Sequence, residues 1–277
     1  MSNHTINCNQ ELIAFDAPKV MGIINATPDS FYDGGSNNTV KSALHTASQM
    51  LDQGATFLDV GGYSSRPGAS DISPSEEIDR VVAIIKAIVN NHPNAKISVD
   101  TFRSEVAMAA CKAGACMVND ITAGLGDTKM LATVASLQVP YIMMHMRGTP
   151  QTMKSLTHYE NPLVEIRQYF SQRIAVAREA GINDVLIDPG FGFAKTTAQN
   201  FEILDKLSSF SMFEAPILVG LSRKSMIYKT LNTTPQNALN GTTALNAIAL
   251  QSGAHILRVH DVAAAVEVSK LVYALKN

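Results

Sequence analysis

The sequence predicts an α/β protein with the (β/α)8 architecture, a parallel eight-stranded TIM barrel. Short apolar segments alternate with longer amphipathic segments along the chain, and there are eight of the apolar kind. The chain has 277 residues, and a single barrel of this type typically has about 250. Because no low-complexity linker or change in composition marks a boundary, we expect residues 1–277 to form one domain with a core of about residues 18–275.

The apolar segments are rich in Val, Ile and Leu and are short enough to be parallel strands buried on both faces. They lie at residues 20–25, 56–60, 96–100, 116–121, 140–145, 184–188, 216–222 and 255–260. An open, doubly wound sheet is the alternative arrangement of such elements. Eight strands favour the closed barrel.

The amphipathic segments between the strands carry helix signals. Residues 74–91 follow Ser73 and have Glu76 and Glu77 in the first turn, as a helix N-terminus prefers. Further helices are predicted at residues 103–113, 161–180 and 236–252. Glycines suited to a left-handed C-terminal cap close four helical segments. They are Gly54, Gly114, Gly181 and Gly253.

Composition argues against several classes of function. A net charge of −2 does not suit a nucleic-acid or anionic-membrane surface, which needs clustered positive charge. The polar N-terminus has no signal-peptide pattern, and no apolar run approaches the roughly 18 residues of a membrane helix. Cys8, Cys111 and Cys116 show no CxxC pair or metal-ligand spacing, so we expect reduced thiols in a cytoplasmic protein. The P-loop, GxGxxG and HExxH motifs are absent.

Polar residues stand at the end of nearly every predicted strand. In a (β/α)8 barrel, the active site is built at the C-terminal ends of the strands. One such residue could simply cap a helix or bind a neighbouring loop, but polar groups on eight strands favour a common site. They are Asn25, Asp59, Asp100, Asn119, His145, Asp188, Ser222-Arg223-Lys224, and Arg258 with His260.

One set of these residues suits phosphate. Arg258 and His260 are two positions apart on the last strand, so their side chains point to the same face. A guanidinium beside an imidazole matches phosphate oxygens. Asn25 offers an amide oxygen to a Mg2+ ion already held by phosphates. The alternative is that Asn25 only starts a turn before Pro28.

A second set suits a flat nitrogen heterocycle. Carboxylate and amide groups can hydrogen-bond to an aminopyrimidinone edge, and a buried Asp favours positive charge on a nearby ring. The set comprises Asp100, Asn119, Asp188 and Lys224. A purely structural ion pair between Lys224 and Asp188 is the alternative. Two loops rich in turn-forming residues, 31–38 and 63–68, are predicted to be mobile lids over this site.

Motifs along most of the chain resemble one enzyme family. MGIINATPDSFYDGG and DVGGYSSRPGA resemble the two long signatures of dihydropteroate synthases, and SVDTF, VNDI, MHMRGTP, IDPGFGFAK, LVGLSRKS and ILRVHDV follow in the family's order. The resemblance covers about residues 18–263. It implies a transferase of folate biosynthesis that joins 6-hydroxymethyl-7,8-dihydropterin pyrophosphate to p-aminobenzoate. It also implies sulfonamide binding and a homodimer.

The resemblance assigns substrate contacts to positions of this chain. For the pterin they are Asp100, Asn119, Asp188 and Lys224, with Met144 and Phe193 packing on the ring. For the pyrophosphate they are Asn25, Arg66, Arg258 and His260, with Mg2+ on Asn25. For p-aminobenzoate they are Ser65, Arg66, Pro67, Phe193, Lys224 and Ser225. Gly220 also lines the substrate site, and the catalytic groups are Asp100, Lys224, Arg258 and His260.

Two positions depart from the family pattern GGESTRPG. Tyr63 replaces Glu and Ser65 replaces Thr. Ser65 keeps a hydroxyl, whereas Tyr63 exchanges a carboxylate for a ring beside the aminobenzoate loop. We therefore expect the anchoring of this loop to differ from that in the family.

Three other functions are compatible with parts of the pattern. A pterin-binding barrel that transfers a methyl group to a corrinoid protein would share the pterin contacts but has no use for a pyrophosphate site. A Schiff-base aldolase could use Lys224. A pterin-binding protein without catalytic activity would bind the pyrophosphate ester without turnover.

Overall fold

The computed structural model describes residues 4–26, 35–64 and 71–276, with the backbone alone for residues 35–38 and 276. Its strands are β1 Thr5–Cys8, β2 Glu11–Ala14, β3 Lys19–Asn25, β4 Phe57–Gly61, β5 Lys96–Asp100, β6 Met117–Asp120, β7 Tyr141–Met144, β8 Val185–Asp188, β9 Leu218–Val219 and β10 Ile256–Val259. Its helices are α1 Gly35–Asp52, α2 Pro74–Asn91, α3 Ser104–Ala113, α4 Met130–Leu137, α5 Pro162–Glu179, α6 Thr197–Asp205, α7 Ser225–Thr230, α8 Leu239–Gln251 and α9 Val262–Lys276.

Strands β3 to β10 form one parallel sheet in the order β8-β7-β6-β5-β4-β3-β10-β9. A parallel bridge between Ile187 and Ile217 joins the two ends of this order and closes the barrel. The predicted (β/α)8 fold is therefore confirmed, and each predicted apolar segment overlaps one barrel strand. Strand β9 has only two residues, and Ile217 just before it pairs with Ile187 through an isolated bridge.

A hairpin that the sequence did not reveal closes the N-terminal end of the barrel. Strands β1 and β2 pair antiparallel around Asn9 and Gln10, whose φ angles of 53° and 65° fit the two-residue turns of tight hairpins. This turn lacks the Asn-Gly or Asp-Gly pair that would have indicated it. Ile6, Cys8 and Phe15 pack against the apolar floor of the lumen, which leaves the opposite end for substrates.

Strand periodicity places the predicted site residues above this floor. Phe57 and Ile256 belong to the floor, and Asp59 and Arg258 follow them by two positions. Because strand side chains alternate between faces, a residue two positions past the floor also points into the lumen. The same spacing relates Met117 to Asn119, Ile142 to Met144, Leu186 to Asp188, and Leu218 to Gly220.

Most helix predictions are confirmed. Helix α2 covers the predicted residues, and the Ser73 hydroxyl accepts a hydrogen bond from the backbone N–H of Glu76 at 3.1 Å. The four predicted cap glycines all have positive φ, between 91° and 119°. The prediction of a loop at residues 31–38 is wrong from Gly35 onward, where α1 begins. Glycine and asparagine are tolerated there because first-turn N–H groups lack intrahelical partners in any helix. Residues 31–34 lie outside the described residues.

The structure describes all three cysteines. Cys8 and Cys116 are buried, Cys111 is half-buried, and all three are free thiols. Across the described ranges, no helix is long and apolar enough to cross a membrane.

Candidate active site

Arg258 links the two predicted groups of polar residues. Its Nε donates to Asp59 Oδ2 at 2.6 Å and its Nη2 donates to Asp100 Oδ2 at 2.7 Å. Asn119 Nδ2 donates to the same oxygen of Asp59 at 2.9 Å. Side chains from β4, β5, β6 and β10 thus form one hydrogen-bonded network. The sequence prediction separates a phosphate-binding Arg258 from a ring-binding Asp100, whereas the structure joins them.

Burial determines the charge balance of this network. The Asp59 side chain is fully buried and that of Asp100 is 22% exposed. Burial raises the pKa of Asp100 to about 7, Arg258 opposes the rise, and the charge of Asp59 adds to it. Burial works against a charged Arg258, but Asp59 and Asp100 outweigh it and raise the pKa of the guanidinium. Two carboxyl groups face one guanidinium here, so ionisation of Asp100, whose pKa is about 7, favours a cation at the adjacent rim.

Lys224 lies on a neighbouring part of the rim. Its Nζ donates to the carbonyl of Phe191 and lies 4.9 Å from the ring centre of Phe193. Burial lowers the pKa of Lys224 to about 8, against the opposing effect of Asp188. Asp188 Oδ1 accepts a hydrogen bond from the backbone N–H of Gly190 at 2.7 Å. The charges of Lys224 and Asp188 affect each other's pKa, but Lys224 Nζ donates to the carbonyl of Phe191 rather than to the Asp188 carboxylate.

An apolar wall stands beside these polar groups. Met144 and Met146 are buried and cluster with the partly buried rings of Phe102 and Phe193. Met143, the next residue along β7, belongs instead to the core between the barrel and its helices. Polar hydrogen-bonding groups next to a wall of thioethers and rings suit a flat heterocycle.

The remaining predicted residues surround the last two strands. His260 Nδ1 lies 2.9 Å from the Ser222 hydroxyl, which also accepts from the backbone N–H of His260 at 3.2 Å. Ser225 is half-buried at the first position of α7. Gly220 is buried, and a Cβ there would lie at ordinary contact distance, 3.9 Å, from Lys224 Nζ.

Asn25 is half-buried at the end of β3. Within the described residues there is no group of three or more His, Cys, Asp or Glu side chains that could hold a metal. One amide oxygen fits a Mg2+ ion whose other ligands are phosphate and water oxygens, which is how this ion is commonly bound. Ser65, Arg66 and Pro67 lie outside the described residues.

Tyr63 contacts loops that follow two other strands. Its ring meets Phe102 edge-on at 5.1 Å, and Arg103 Cζ lies 5.3 Å from its centre. Gln151 Nε2 donates to the Tyr63 hydroxyl at 3.0 Å, and these four residues line a cavity of about 860 Å3. Arg103 is itself held by the fully buried Glu77 at 2.9 Å. The departure at Tyr63 is visible in the sequence, but nothing there indicates these partners.

Similarity to known proteins agrees with this fold and site. A family model described as pterin binding enzyme matches residues 21–260, which contain all the barrel strands from β3 to β10 except the first two residues of β3. Fold and site together define a pterin-binding (β/α)8 barrel.

Individual relatives narrow this class. Dihydropteroate synthase of Escherichia coli K12 is 44% identical over 259 residues, which are 93% of this chain and 91% of the relative. The structure of Yersinia pestis dihydropteroate synthase with a sulfonamide drug complex matches with a TM-score of 0.93 and 40% identity, covering 99% of each chain. That of Xanthomonas albilineans dihydropteroate synthase with 4-aminobenzoic acid has the same score and identity, covering 100% of this chain and 99% of the other. The chain belongs to the dihydropteroate synthase family, and it is a transferase.

Proposed function

We propose that the described rim binds both substrates of the family reaction and separates the charges that form in it. In that reaction, 6-hydroxymethyl-7,8-dihydropterin pyrophosphate and p-aminobenzoate give 7,8-dihydropteroate and pyrophosphate, a step of folate biosynthesis. The observation that carries the residue assignment is the contact of Arg258 with both Asp59 and Asp100. This contact joins the guanidinium that we assign to the pyrophosphate to a carboxylate that we assign to the pterin ring.

The pterin occupies the lumen above the apolar floor. Asp100, Asn119 and Asp188 offer hydrogen-bond acceptors and one amide donor to the aminopyrimidinone edge. Lys224 donates to the ring carbonyl, and the apolar wall packs against the ring face. This placement is supported by the burial of these groups and by the two-residue spacing that points them into the lumen.

The pyrophosphate lies toward β3 and β10. We assign its oxygens to Arg258 and His260, and to Arg66 by the family resemblance alone. Asn25 would hold Mg2+ in part, and the ion would supply charge neutralisation for the leaving group. Departure of the anion leaves positive charge on the pterin methylene, and the carboxylate of Asp100 stabilises that charge. Loss of one preorganised partner of this kind commonly lowers the rate by about 10²–10³.

The aminobenzoate completes the site. We assign it to Phe193, Lys224 and Ser225, together with the segment Ser65–Pro67. Its amine is neutral and attacks the methylene as the nucleophile, so no protein group has to remove a proton first. A sulfonamide, which resembles aminobenzoate in shape, should compete for the same place.

The test is release of pyrophosphate from the pterin pyrophosphate and Mg2+, with and without p-aminobenzoate. We expect release that depends on aminobenzoate and is matched by dihydropteroate. Lys224→Met should reduce it at least about 100-fold, whereas Lys229→Met, which removes an exposed lysine from the helix α7 that Lys224 precedes, should not. Binding of the pterin without release in either condition would contradict the assignment. Substrate trapped on Lys224 by borohydride would indicate Schiff-base chemistry instead.

We also propose that the chain works as a single domain of residues 1–277, forms a homodimer and functions in the cytoplasm. The free cysteines support the cytoplasmic location, because disulfide bonds are rare in that compartment. Leu271 and Leu275 support the dimer, since they lie one turn apart on α9 and are 68% and 74% exposed. Sedimentation should show a dimer that Leu271→Lys with Leu275→Lys dissociates. Leu12→Lys, at a leucine that is 71% exposed on the hairpin, should leave it intact.

A further inference from the structure

Lys195 is a buried lysine that the reaction does not use directly. It is 8% exposed, and its Nζ donates to the carbonyls of Gly190 at 2.9 Å and Phe193 at 3.0 Å. The same atom lies 3.0 Å from His145 Nδ1. In the part of the chain that the structure describes, Lys195 forms no ion pair. Its amino group is therefore held by carbonyl oxygens of one turn and by His145, which follows β7. Burial lowers the pKa of Lys195, and the charge of Asp188 opposes this.

That turn, residues 190–195, has an unusual backbone. Gly190 and Gly192 have φ angles of 70° and 82°, and Ala194 has a φ of 47° although it carries a side chain. Glycine adopts positive φ readily, but at Ala194 such an angle costs free energy and persists only where surrounding contacts impose it. Besides Lys195, the hydroxyl of Tyr159 holds the turn by donating to the carbonyl of Ala194 at 2.9 Å.

The turn carries groups that face the substrates. The ring of Phe193 is part of the apolar wall beside Met144, and the carbonyl of Phe191 accepts the hydrogen bond from Lys224. Lys195 lies behind this surface and contacts the backbone of Phe193 directly. Removing its donors would free the turn to move by fractions of an ångström.

We propose that Lys195 is a positioning residue that fixes the turn 190–195 and thereby places the Phe193 ring against p-aminobenzoate. This inference rests on the proposed contact between Phe193 and that substrate. A lysine suits the role because its three N–H donors can bind several carbonyls of the turn at once. His145, a rim residue without a substrate assignment, provides the fixed contact directly after β7.

The test is a double-mutant cycle between Lys195→Met and Phe193→Leu. We expect Lys195→Met to raise KM for p-aminobenzoate about tenfold and to change kcat less than threefold. In the Phe193→Leu background, the same substitution should change KM less than twofold, because its effect passes through the Phe193 ring. Lys206→Met, which removes a lysine with a 61% exposed side chain, is the matched control and should leave both constants unchanged.

Other results would show which part of the inference is wrong. An equal rise of KM in both backgrounds, or no rise in either, would overturn the role of Lys195. If Phe193→Leu alone leaves KM unchanged, the contact of Phe193 with the substrate fails, and the inference fails with it. Should Lys195→Met not fold, Lys195→Gln enters the same cycle. It keeps an amide donor, and we expect a rise of about threefold that also disappears without the Phe193 ring.

Discussion

Replacing Asp59 with Asn would test the network around Arg258. Asp59 is fully buried and accepts hydrogen bonds from Arg258 and Asn119. Both bonds go to Oδ2, so an amide oxygen in that position can still accept them, but the carboxylate charge that pairs with Arg258 is lost. Hydrogen bonds to charged groups contribute about 1.5–3 kcal/mol, and Arg258 keeps its contact with Asp100. We therefore expect a loss of about 2–3 kcal/mol in transition-state binding, or about 30- to 150-fold in kcat/KM.

The assay is aminobenzoate-dependent pyrophosphate release at varied concentrations of the pterin pyrophosphate. Urea unfolding of the same preparations shows how much of the loss comes from stability. Asp205→Asn is the control, because Asp205 has a 70% exposed side chain in a surface ion pair with Lys206, and such pairs contribute little. If Asp59→Asn stays within threefold of the unmodified protein, the network does not orient Arg258 for catalysis.

Three further predictions follow from single side chains. Burial lowers the pKa of Lys224 to about 8, so its charged form is lost above that pH. We expect kcat/KM for the pterin pyrophosphate to fall above pH 8, and a decline only near pH 10.5 would contradict this. Tyr63→Ala should raise KM for p-aminobenzoate about tenfold by removing the ring contact with Phe102, whereas Tyr63→Phe should change KM less than about twofold. If both variants raise KM equally, the hydroxyl of Tyr63 matters rather than its ring. Gly190→Ala should lower the free energy of unfolding by at least about 3 kcal/mol, because φ is 70° and the new Cβ would lie 2.1 Å from the carbonyl oxygen of His145; an unchanged urea midpoint would refute it.

The positions of the strands and of most site residues were predictable because the relevant signals are local. A buried strand is recognisable from its own Val, Ile and Leu, and the two-residue alternation within it decides which side chains share a face. The rule that barrel sites form at the C-terminal ends of strands then selects Asp100, Asn119 and Asp188. Long family signatures such as DVGGYSSRPGA indicate which reaction the protein catalyses, because each combines many specific residues in a fixed order.

The sequence by itself therefore determined the barrel, the face that carries the site and the family. Only the tertiary structure decided which of these groups touch. Arg258 meets Asp59 and Asp100 across 199 and 158 positions of the chain, and Lys195 meets His145 across 50. Barrel closure brings β10 against β3 and so near β4 and β5, and no local pattern encodes such contacts. The hairpin at the barrel floor was missed for the same reason, since burial against the lumen, rather than turn chemistry, holds it in place.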